Sequence, residues 1–194
     1  MTNEARPPML LASGSPRRRE LLAALGVPFE VRPADVDETP RADEAPRTTA
    51  ERLASAKADV VASGRPDAMV LAADTVVILD GRALGKPQDE DENRRFLHAL
   101  AGVRHTVVTA HHLRWGERRA VASVATEVRL RELSEAEIER WVRSGNGLDK
   151  AGGYAIQDVG AALVADLDGC YTNVVGLSLP AVVAAARRLG VALV

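Results

Sequence analysis

Apolar positions follow two different patterns along the chain. In the first third, short apolar runs at residues 10–12 and 29–32 alternate with stretches of helical spacing. From residue 69 onward, longer apolar runs are separated by turn signals, such as Asp80-Gly81 and the segment 115–117. Strands that first alternate with helices and then form hairpins predict an α/β protein with a mixed rather than a purely parallel sheet.

Capping residues, prolines and glycines predict where each element begins and ends. The predicted helices run from Ser15 to Gly26, from Thr48 or Thr49 to about Ala62, from Asp89 to Gly102, from Ser134 to Gly145 and from Pro180 to about Leu189. The predicted strands cover residues 10–12, 29–32, 69–79, a short return after Gly81, 106–113, 120–130, 154–157 and 161–166. Residues 33–47, which hold three prolines and several acids, are predicted to form a long loop.

The composition fits a single domain, residues 1–194, with a sizeable core. Hydrophobic residues make up 46% of the chain and aromatic residues only 3%, so the core must be built from Ala, Val and Leu. The net charge of −2 argues against a binder of nucleic-acid polymers, which usually carries a basic excess. Positive charge is therefore expected to act locally, on a small anionic ligand.

The cysteine count and the hydropathy of the chain exclude two further classes of protein. Cys170 is the only cysteine, which rules out an internal disulfide and a multi-cysteine metal site, and we expect it to be a small buried residue. No run of 18 apolar residues is present, and residues 1–8 lack the apolar stretch of a signal peptide. We expect a cytoplasmic protein without a membrane partner.

A basic helix start is the strongest chemical signal in the sequence. Residues 13–19 read SGSPRRR, in which Ser15 is a good N-cap and Pro16 a good first helical residue. Three arginines then fall in the first turn, where each opposes the helix dipole by about 0.3–1 kcal/mol at an exposed site. Backbone N–H groups, hydroxyls and guanidinium groups together suit a phosphate. The alternative is a solvated basic helix end.

Two charged residues stand in apolar surroundings. Asp74 lies between two apolar runs, where it either forms a turn or holds a metal or activates water. Lys57 follows Leu53 by four residues and precedes Val61 by four, which places it on the apolar face of its helix. Its side chain either extends past the core to solvent or directs the ammonium into a cleft.

Glycine-rich segments supply two further candidates. Residues 149–157 read DKAGGYAIQ, and adjacent glycines permit close approach of a ligand to the backbone. The amide of Gln157 offers a paired donor and acceptor that can read the edge of a base. Lys86, in the segment GKP at 85–87, is a loop lysine that means little by itself.

Taken together, these segments resemble the Maf family of nucleoside triphosphate pyrophosphatases, once described as septum-formation inhibitors. The resemblance keeps the order of the family's motifs and extends over residues 9–190, nearly the whole chain. The matching segments are SGSPRR at 13–18, ADTVV at 73–77, GKP at 85–87, DKAGGYAIQ at 149–157 and NVVGL at 173–177.

The resemblance implies a fold and a reaction. The fold is a mixed, curved sheet flanked by helices, with two lobes around a central cleft, as in the inosine triphosphate pyrophosphatases. The reaction is hydrolysis of a nucleoside triphosphate to the monophosphate and pyrophosphate, with Mg²⁺ or Mn²⁺ as cofactor. The Asp-Thr pair at 74–75 and YAIQ at 154–157 are similar to the branch that acts on dTTP and UTP, whereas another branch acts on N7-methylated GTP and CTP. The resemblance also favours a homodimer.

The resemblance further implies roles for individual residues. Asp74 matches the catalytic proton acceptor and a metal ligand. Glu38 matches an acidic residue that helps to hold the metal, with Asp35 or Asp37 of the same loop as alternatives. The positions linked to base or substrate selectivity are Arg18, Thr75 and Gln157. The positions that bind phosphate and neutralise its charge are Ser13, Arg17, Lys57 and Lys86.

The chain departs from the family pattern at three positions before and after Gln157, and two of these departures, Ala155 and Asp158, lie close to it. Where the family reads AGAYGIQG, this chain reads AGGYAIQD at residues 151–158. Ala155 replaces a permissive glycine, and Asp158 adds a charge next to the predicted base reader. We expect catalysis to persist, because the catalytic positions are unchanged, and we expect these changes to act on the choice of base.

A function from another class is the alternative. A regulator of septum formation could sense triphosphates without turnover and act on cell division through a protein partner. Asp74 argues against this interpretation, because a carboxylate repels phosphate unless a metal lies between them.

Overall fold

The fold is built on one seven-stranded mixed sheet, which a computed structural model describes for residues 6–194. The strands are β1 (Met9–Leu11), β2 (Glu30–Val31), β3 (Met69–Leu79), β4 (Arg82–Leu84), β5 (Arg104–Trp115), β6 (Arg118–Leu130) and β7 (Val164–Asp168). Their order is β2-β1-β3-β5-β6-β7, with β4 paired to β3 outside this path. β1 pairs in parallel with β2 and β3, and every other pairing is antiparallel. The predicted α/β class with a mixed sheet is confirmed.

Helices cover both faces of this sheet. They are α1 (Pro16–Ala23), α2 (Pro46–Ser63), α3 (Glu90–Leu100), α4 (Glu135–Arg143), α5 (Tyr171–Val175) and α6 (Leu179–Arg188), with 3₁₀ segments at Ala151–Gly153 and Asp158–Leu163. Ser15 caps α1 by accepting from the backbone N–H of Arg18, and Ser134 forms the predicted capping box with Glu137. Within residues 6–194, no helix is long and apolar enough to cross a membrane.

Two hydrophobic clusters lie at opposite ends of the long strands. One packs α1 and α6 against Leu71 of β3 and Leu113 of β5. The other packs α3 and α4 against Val77 of β3 and Val107 of β5. α2 covers the opposite face of β3 through small residues such as Ala58, packed against Val70 and Ala72. The division into two lobes stays a prediction.

Residues 154–157 do not form the predicted strand. Gly152 and Gly153 adopt positive φ angles of 71°, which breaks an extended run before it starts. The carbonyl oxygen of Gly153 accepts hydrogen bonds from Asn93 Nδ2 and Trp141 Nε1, both at 2.8 Å. The side chains of Asn93 and Trp141 therefore supply the hydrogen bonds that the Gly153 carbonyl would otherwise receive from a neighbouring strand.

Three smaller predictions also need correction. α2 begins at Pro46 rather than at Thr48 or Thr49, because the Thr49 hydroxyl donates to Glu44 Oε2 (3.0 Å) instead of capping the helix. Cys170 is half-buried rather than buried, and its sulfur lies 3.3 Å from Thr172 Oγ1. The five residues of α5 were not predicted as a helix, and residues 161–163 of the predicted last strand are 3₁₀ instead.

Burial keeps the imidazole of His111 neutral. The ring is 1% exposed, its Nε2 accepts from the backbone N–H of Ser178 (2.8 Å), and its Nδ1 lies 3.3 Å from the carbonyl oxygen of Ala122. These partners assign the proton to Nδ1. Burial lowers the pKa of His111 to about 4. A protonated ring would leave a hydrogen with no acceptor where it faces Ser178.

This histidine makes stability fall in acid. The unfolded chain takes up its proton near pH 6.5 and the folded chain only near pH 4, so the contribution is complete above about pH 6.5 and is lost as pH falls towards about 4. We expect urea unfolding at about pH 7.5 and about pH 4.5 to show this loss, up to about 3 kcal/mol. The variant His111→Gln should lose measurably less between the two conditions. An equal loss in both proteins would contradict this role.

Candidate active site

A gap in the edge of β3 creates the main cleft. β1 pairs with Met69–Leu71 on this edge, and β4 pairs with residues 77–79 farther along the strand. In the part of the chain that the structure describes, no strand pairs with the edge between these two segments. A cleft of about 910 Å³ opens there. Side chains from both faces of β3 can therefore reach one space.

Lys57 and Asp74 meet in this cleft from the α2 side. Asp74 lies in the middle of β3, paired with Ala110, so it is not the turn former that the sequence left open. The Nζ atom of Lys57 lies 2.7 Å from Asp74 Oδ1 and 2.7 Å from Glu38 Oε1. Lys57 is only 8% exposed, so its ammonium points into the cleft rather than past the core. One ammonium thus joins two carboxylates.

The ammonium of Lys57 also controls the charge of Glu38. Partial burial raises the pKa of the Glu38 carboxyl, but the hydrogen bond and positive charge of Lys57 outweigh that effect and hold the pKa below its ordinary value. Lys86 adds a smaller effect in the same direction. Glu38 is therefore ionised at neutral pH and available as an oxygen ligand.

Arg18 enters the cleft from the opposite face of β3. Its Nε donates to the carbonyl oxygen of Gly176 (2.9 Å), Nη1 to Ser13 Oγ (3.2 Å) and Nη2 to Thr75 Oγ1 (3.1 Å). Burial lowers the pKa of Arg18, and the negative charge of Asp74 opposes that effect. The guanidinium remains charged and is held in one orientation by three partners.

Arg17 reaches across the cleft. Its Nη1 lies 2.6 Å from Asp149 Oδ2, and its Nη2 donates to the backbone oxygen of the same residue (3.2 Å). Asp149 also accepts from Lys150 Nζ at 2.5 Å. Burial raises the pKa of Asp149, but hydrogen bonds from Lys150 and Arg17 hold it below its ordinary value. An arriving phosphate would have to compete with this carboxylate for Arg17.

The structure brings every predicted site residue to the cleft wall. The members are Ser13, Arg17, Arg18, Glu38, Lys57, Asp74, Thr75, Lys86 and Gln157. The alternatives Asp35 and Asp37 are exposed and are not part of that wall, so Glu38 is the one of these three acids that lines the cleft. Among the described residues, Lys86 forms no ion pair and lies exposed at the rim. The catalytic and binding roles of these residues remain predictions.

The donor set suits a hard divalent cation. Asp74 and Glu38 offer carboxylate oxygens, which Mg²⁺ and Mn²⁺ prefer. Over residues 6–194 there is no cluster of three or more His, Cys, Asp or Glu side chains with metal-binding geometry. Proteins usually hold Mg²⁺ through one or two carboxylates together with substrate phosphates and water.

Sequence reasoning missed three groups in or beside the cleft. Asp149 stood in a segment that was noted for its charge and its glycines, but its carboxylate was given no role. Glu44 and Arg52 form a half-buried ion pair at 2.7 Å that ties the loop 33–45 to α2. Thr109, 0% exposed, bonds to Thr75 from within β5. A hydroxyl inside an apolar strand is the only sequence signal for the last of these.

A comparison with known protein families matches nearly the whole chain. The family model described as Maf-like protein matches residues 8–189. The chain belongs to the Maf family. The resemblance drawn from the five sequence segments is thereby confirmed, because the match extends over nearly all of the described residues.

Curated relatives with similar sequences share one name. A protein of Anaeromyxobacter dehalogenans (strain 2CP-1) named dTTP/UTP pyrophosphatase is 50% identical over 188 residues, covering 95% of each chain. Relatives of the same name from Syntrophus aciditrophicus and Myxococcus xanthus are 47% and 49% identical and cover 90% and 94% of their own lengths. The similarity therefore includes the whole cleft.

Solved structures give a weaker likeness. The Ham1 protein of Staphylococcus aureus has a TM-score of 0.47 and 16% sequence identity over 64% of this chain and 72% of its own. At this TM-score the likeness carries no argument about the present chain. The relationship to the inosine triphosphate pyrophosphatases stays a prediction.

Replacing Lys57 tests the charge arrangement without any substrate. In Lys57→Met the ammonium is lost while the side chain keeps a similar length, so we expect the pKa of Glu38 to rise. The matched change Lys86→Met should raise it less, because Lys86 acts only from a distance. Carboxyl carbon NMR titration of Glu38 in the three proteins measures both shifts. An unchanged pKa in Lys57→Met, or a larger rise in Lys86→Met, would contradict this arrangement.

Proposed function

We propose that this protein hydrolyses dTTP and UTP to the nucleoside monophosphate and pyrophosphate. The observation that carries the proposal is the meeting of Asp74 with guanidinium and ammonium groups in one cleft, at the gap in β3. The names of the relatives support the same substrates. Such an activity would remove surplus or non-standard nucleotides.

The cations would hold the triphosphate before the chemical step. Arg17, at the start of α1, and Lys86, at the rim, flank the cleft and can neutralise phosphate oxygens. Lys57 lies deeper, beside the carboxylate of Asp74. Lys57 is already held in place by the fold, so it needs little reorganisation when negative charge builds up on the phosphorus, whereas Arg17 first has to release Asp149.

Asp74 would act on the water. Its Oδ1 is held by Lys57, so the carboxylate is fixed in place beside the phosphate groups. The water oxygen forms a bond to the α-phosphorus, its proton passes to Asp74, and the bond from the α-phosphorus to the bridging oxygen breaks. Pyrophosphate leaves with the bonding electrons. Most of the rate should come from positioning and electrostatics, as in other phosphoryl transfers.

A divalent cation would complete the site. Asp74 and Glu38 are the residues that would hold it. When bound, Mg²⁺ or Mn²⁺ would neutralise phosphate oxygens and act as a Lewis acid. The ammonium of Lys57 lies between the same two carboxylates, 2.7 Å from an oxygen of each.

The choice of base would depend on Arg18, Thr75 and Gln157. The departures from the family pattern lie close by: Ala155 lines the cleft, and Asp158 adopts a φ of 51° where the family has glycine. Aspartate tolerates this backbone region better than most residues do. The turn that presents Gln157 is therefore kept, and a negative charge is added next to it.

A nucleotide panel tests the proposed function. We expect dTTP and UTP to release pyrophosphate, measured as phosphate with malachite green after adding inorganic pyrophosphatase, and we expect activity to need Mg²⁺ or Mn²⁺. Preference for N7-methyl-GTP and CTP would instead assign the chain to the other branch of the family. Binding of triphosphates without any pyrophosphate release would favour the regulator of septum formation.

Asp74→Asn tests the proton acceptor. The amide keeps the size of the side chain and an oxygen that can accept from Lys57, but it cannot take the proton of water. We expect turnover to fall by about 10²–10⁴-fold while the thermal unfolding temperature changes little. Asp80→Asn, in the β3–β4 turn, is the matched control and should keep normal turnover. Near-normal turnover in Asp74→Asn would reject this role.

Assembly and location belong to the same proposal. The family resemblance supports a homodimer, which light scattering on the purified protein would detect as twice the chain mass. The charge of −2 and the hydropathy of the chain support a cytoplasmic protein without nucleic-acid or membrane partners.

A further inference from the structure

A chain of hydrogen bonds runs from the cleft into the sheet. Arg18 Nη2 lies 3.1 Å from Thr75 Oγ1, which lies 3.0 Å from Thr109 Oγ1. Thr109 Oγ1 lies 2.9 Å from the carbonyl oxygen of Asn173. Thr109 is 0% exposed, so it can affect a ligand in the cleft only through its hydrogen-bonded neighbours and not by direct contact.

In this series of hydrogen bonds, the donor and the acceptor of each bond are fixed. A threonine hydroxyl carries one hydrogen, and a carbonyl oxygen only accepts. The hydroxyl of Thr109 therefore donates to the carbonyl oxygen of Asn173. In the bond between the two threonines, the donor has to be Thr75. The guanidinium of Arg18 only donates, which makes Thr75 its acceptor.

The fixed direction determines what Thr75 presents to the cleft. Its hydrogen is committed to Thr109, and one of its lone pairs is committed to Arg18. Towards a ligand, Thr75 can only accept. Without the hydroxyl of Thr109, the hydroxyl of Thr75 would be free to rotate, to donate into the cleft and to weaken its hold on the guanidinium.

The same atoms close a ring of hydrogen bonds. The carbonyl oxygen of Asn173 also accepts from the N–H of Gly176 (3.0 Å), and the carbonyl oxygen of Gly176 accepts from Arg18 Nε (2.9 Å). Gly176 has a φ of 124°, which favours glycine at this position. Removing the Thr109 hydroxyl leaves Asn173 with its bond from Gly176, so the substitution breaks the link to Thr75 and orphans no carbonyl.

We propose that Thr109 is a positioning residue for the nucleotide cleft. Its hydroxyl sets the hydroxyl of Thr75, and through it the guanidinium of Arg18, in the orientation that receives the ligand. The proposal rests on the proposed function only in taking the cleft as the nucleotide site. Its primary readout is therefore binding, which needs no turnover.

Thr109→Val tests this role, because valine keeps the shape of threonine and lacks the hydroxyl. We expect the Kd for a non-hydrolysable α,β-imido analogue of dTTP, measured by calorimetry, to rise about tenfold. Thr109→Ser should restore binding, since serine supplies the same hydroxyl. Thr106→Val is the matched control on β5: Thr106 bonds to Glu127 (2.6 Å), lies outside the cleft wall and should leave binding unchanged.

A double-mutant cycle separates positioning from a general structural effect. In a Thr75→Val background the link is already broken, so adding Thr109→Val should not weaken binding further. The proposal would be overturned if the two substitutions multiplied their effects on the Kd, or if Thr109→Val bound the analogue as tightly as the wild type. If Thr109→Val does not fold, Thr109→Ala removes the same hydroxyl and is held to the same outcomes.

Turnover of the same variants distinguishes this proposal from the proposed function. If the wild type hydrolyses dTTP or UTP, Thr109→Val should raise KM and leave kcat nearly unchanged. If the wild type binds the analogue but hydrolyses no nucleotide, the proposed function fails while the binding comparison still decides the role of Thr109. If the wild type does not bind the analogue at all, both fail.

Discussion

The unpaired part of the β3 edge is the constraint on which the site depends. β1 is only three residues long and leaves the edge after Leu71, and β4 returns to it only at Val77. A longer β1 or an earlier β4 would close the gap and bury Asp74 against backbone. Because the edge is open, successive residues of one strand serve a common space although their side chains point to opposite faces.

The two sides of the gap carry different electrostatic arrangements. On the α2 side, a buried ammonium is shared between Asp74 and Glu38, so negative charge slightly exceeds positive charge there. On the α1 side, the half-buried guanidinium of Arg18 bonds only to neutral oxygens. These belong to Gly176, Ser13 and Thr75. A metal suits the first side and phosphate or base oxygens suit the second. This asymmetry would give a bound nucleotide a direction along the cleft.

The sequence predicted most of the site because its chemistry is local. The SGSPRRR segment shows a capped helix start, and an aspartate between apolar runs stands out against its neighbours. Helical spacing placed Lys57 on the buried face but left its direction open, because spacing defines a face and not what lies opposite it. The partner was Asp74, 17 positions along the chain, and only the pairing of α2 with β3 brings the two together.

What the sequence could not predict depends on contacts between distant segments. The segment 154–157 has the composition of a strand, yet the chain turns just before it, where the carbonyl oxygen of Gly153 bonds to Trp141, 12 positions away, and to Asn93, 60 positions away. The competition of Asp149 for Arg17 spans 132 positions. Thr109 gains its importance only from the bond directions, which follow from the carbonyl of Asn173.

A crystal structure with a non-hydrolysable dTTP analogue and Mg²⁺ tests the central claim most directly. The account predicts density for the triphosphate at the gap in β3, with its α-phosphate beside Asp74 and its oxygens in contact with guanidinium and ammonium groups from both faces of the strand. A triphosphate bound outside the gap, or one that contacts groups from only one face, would contradict it.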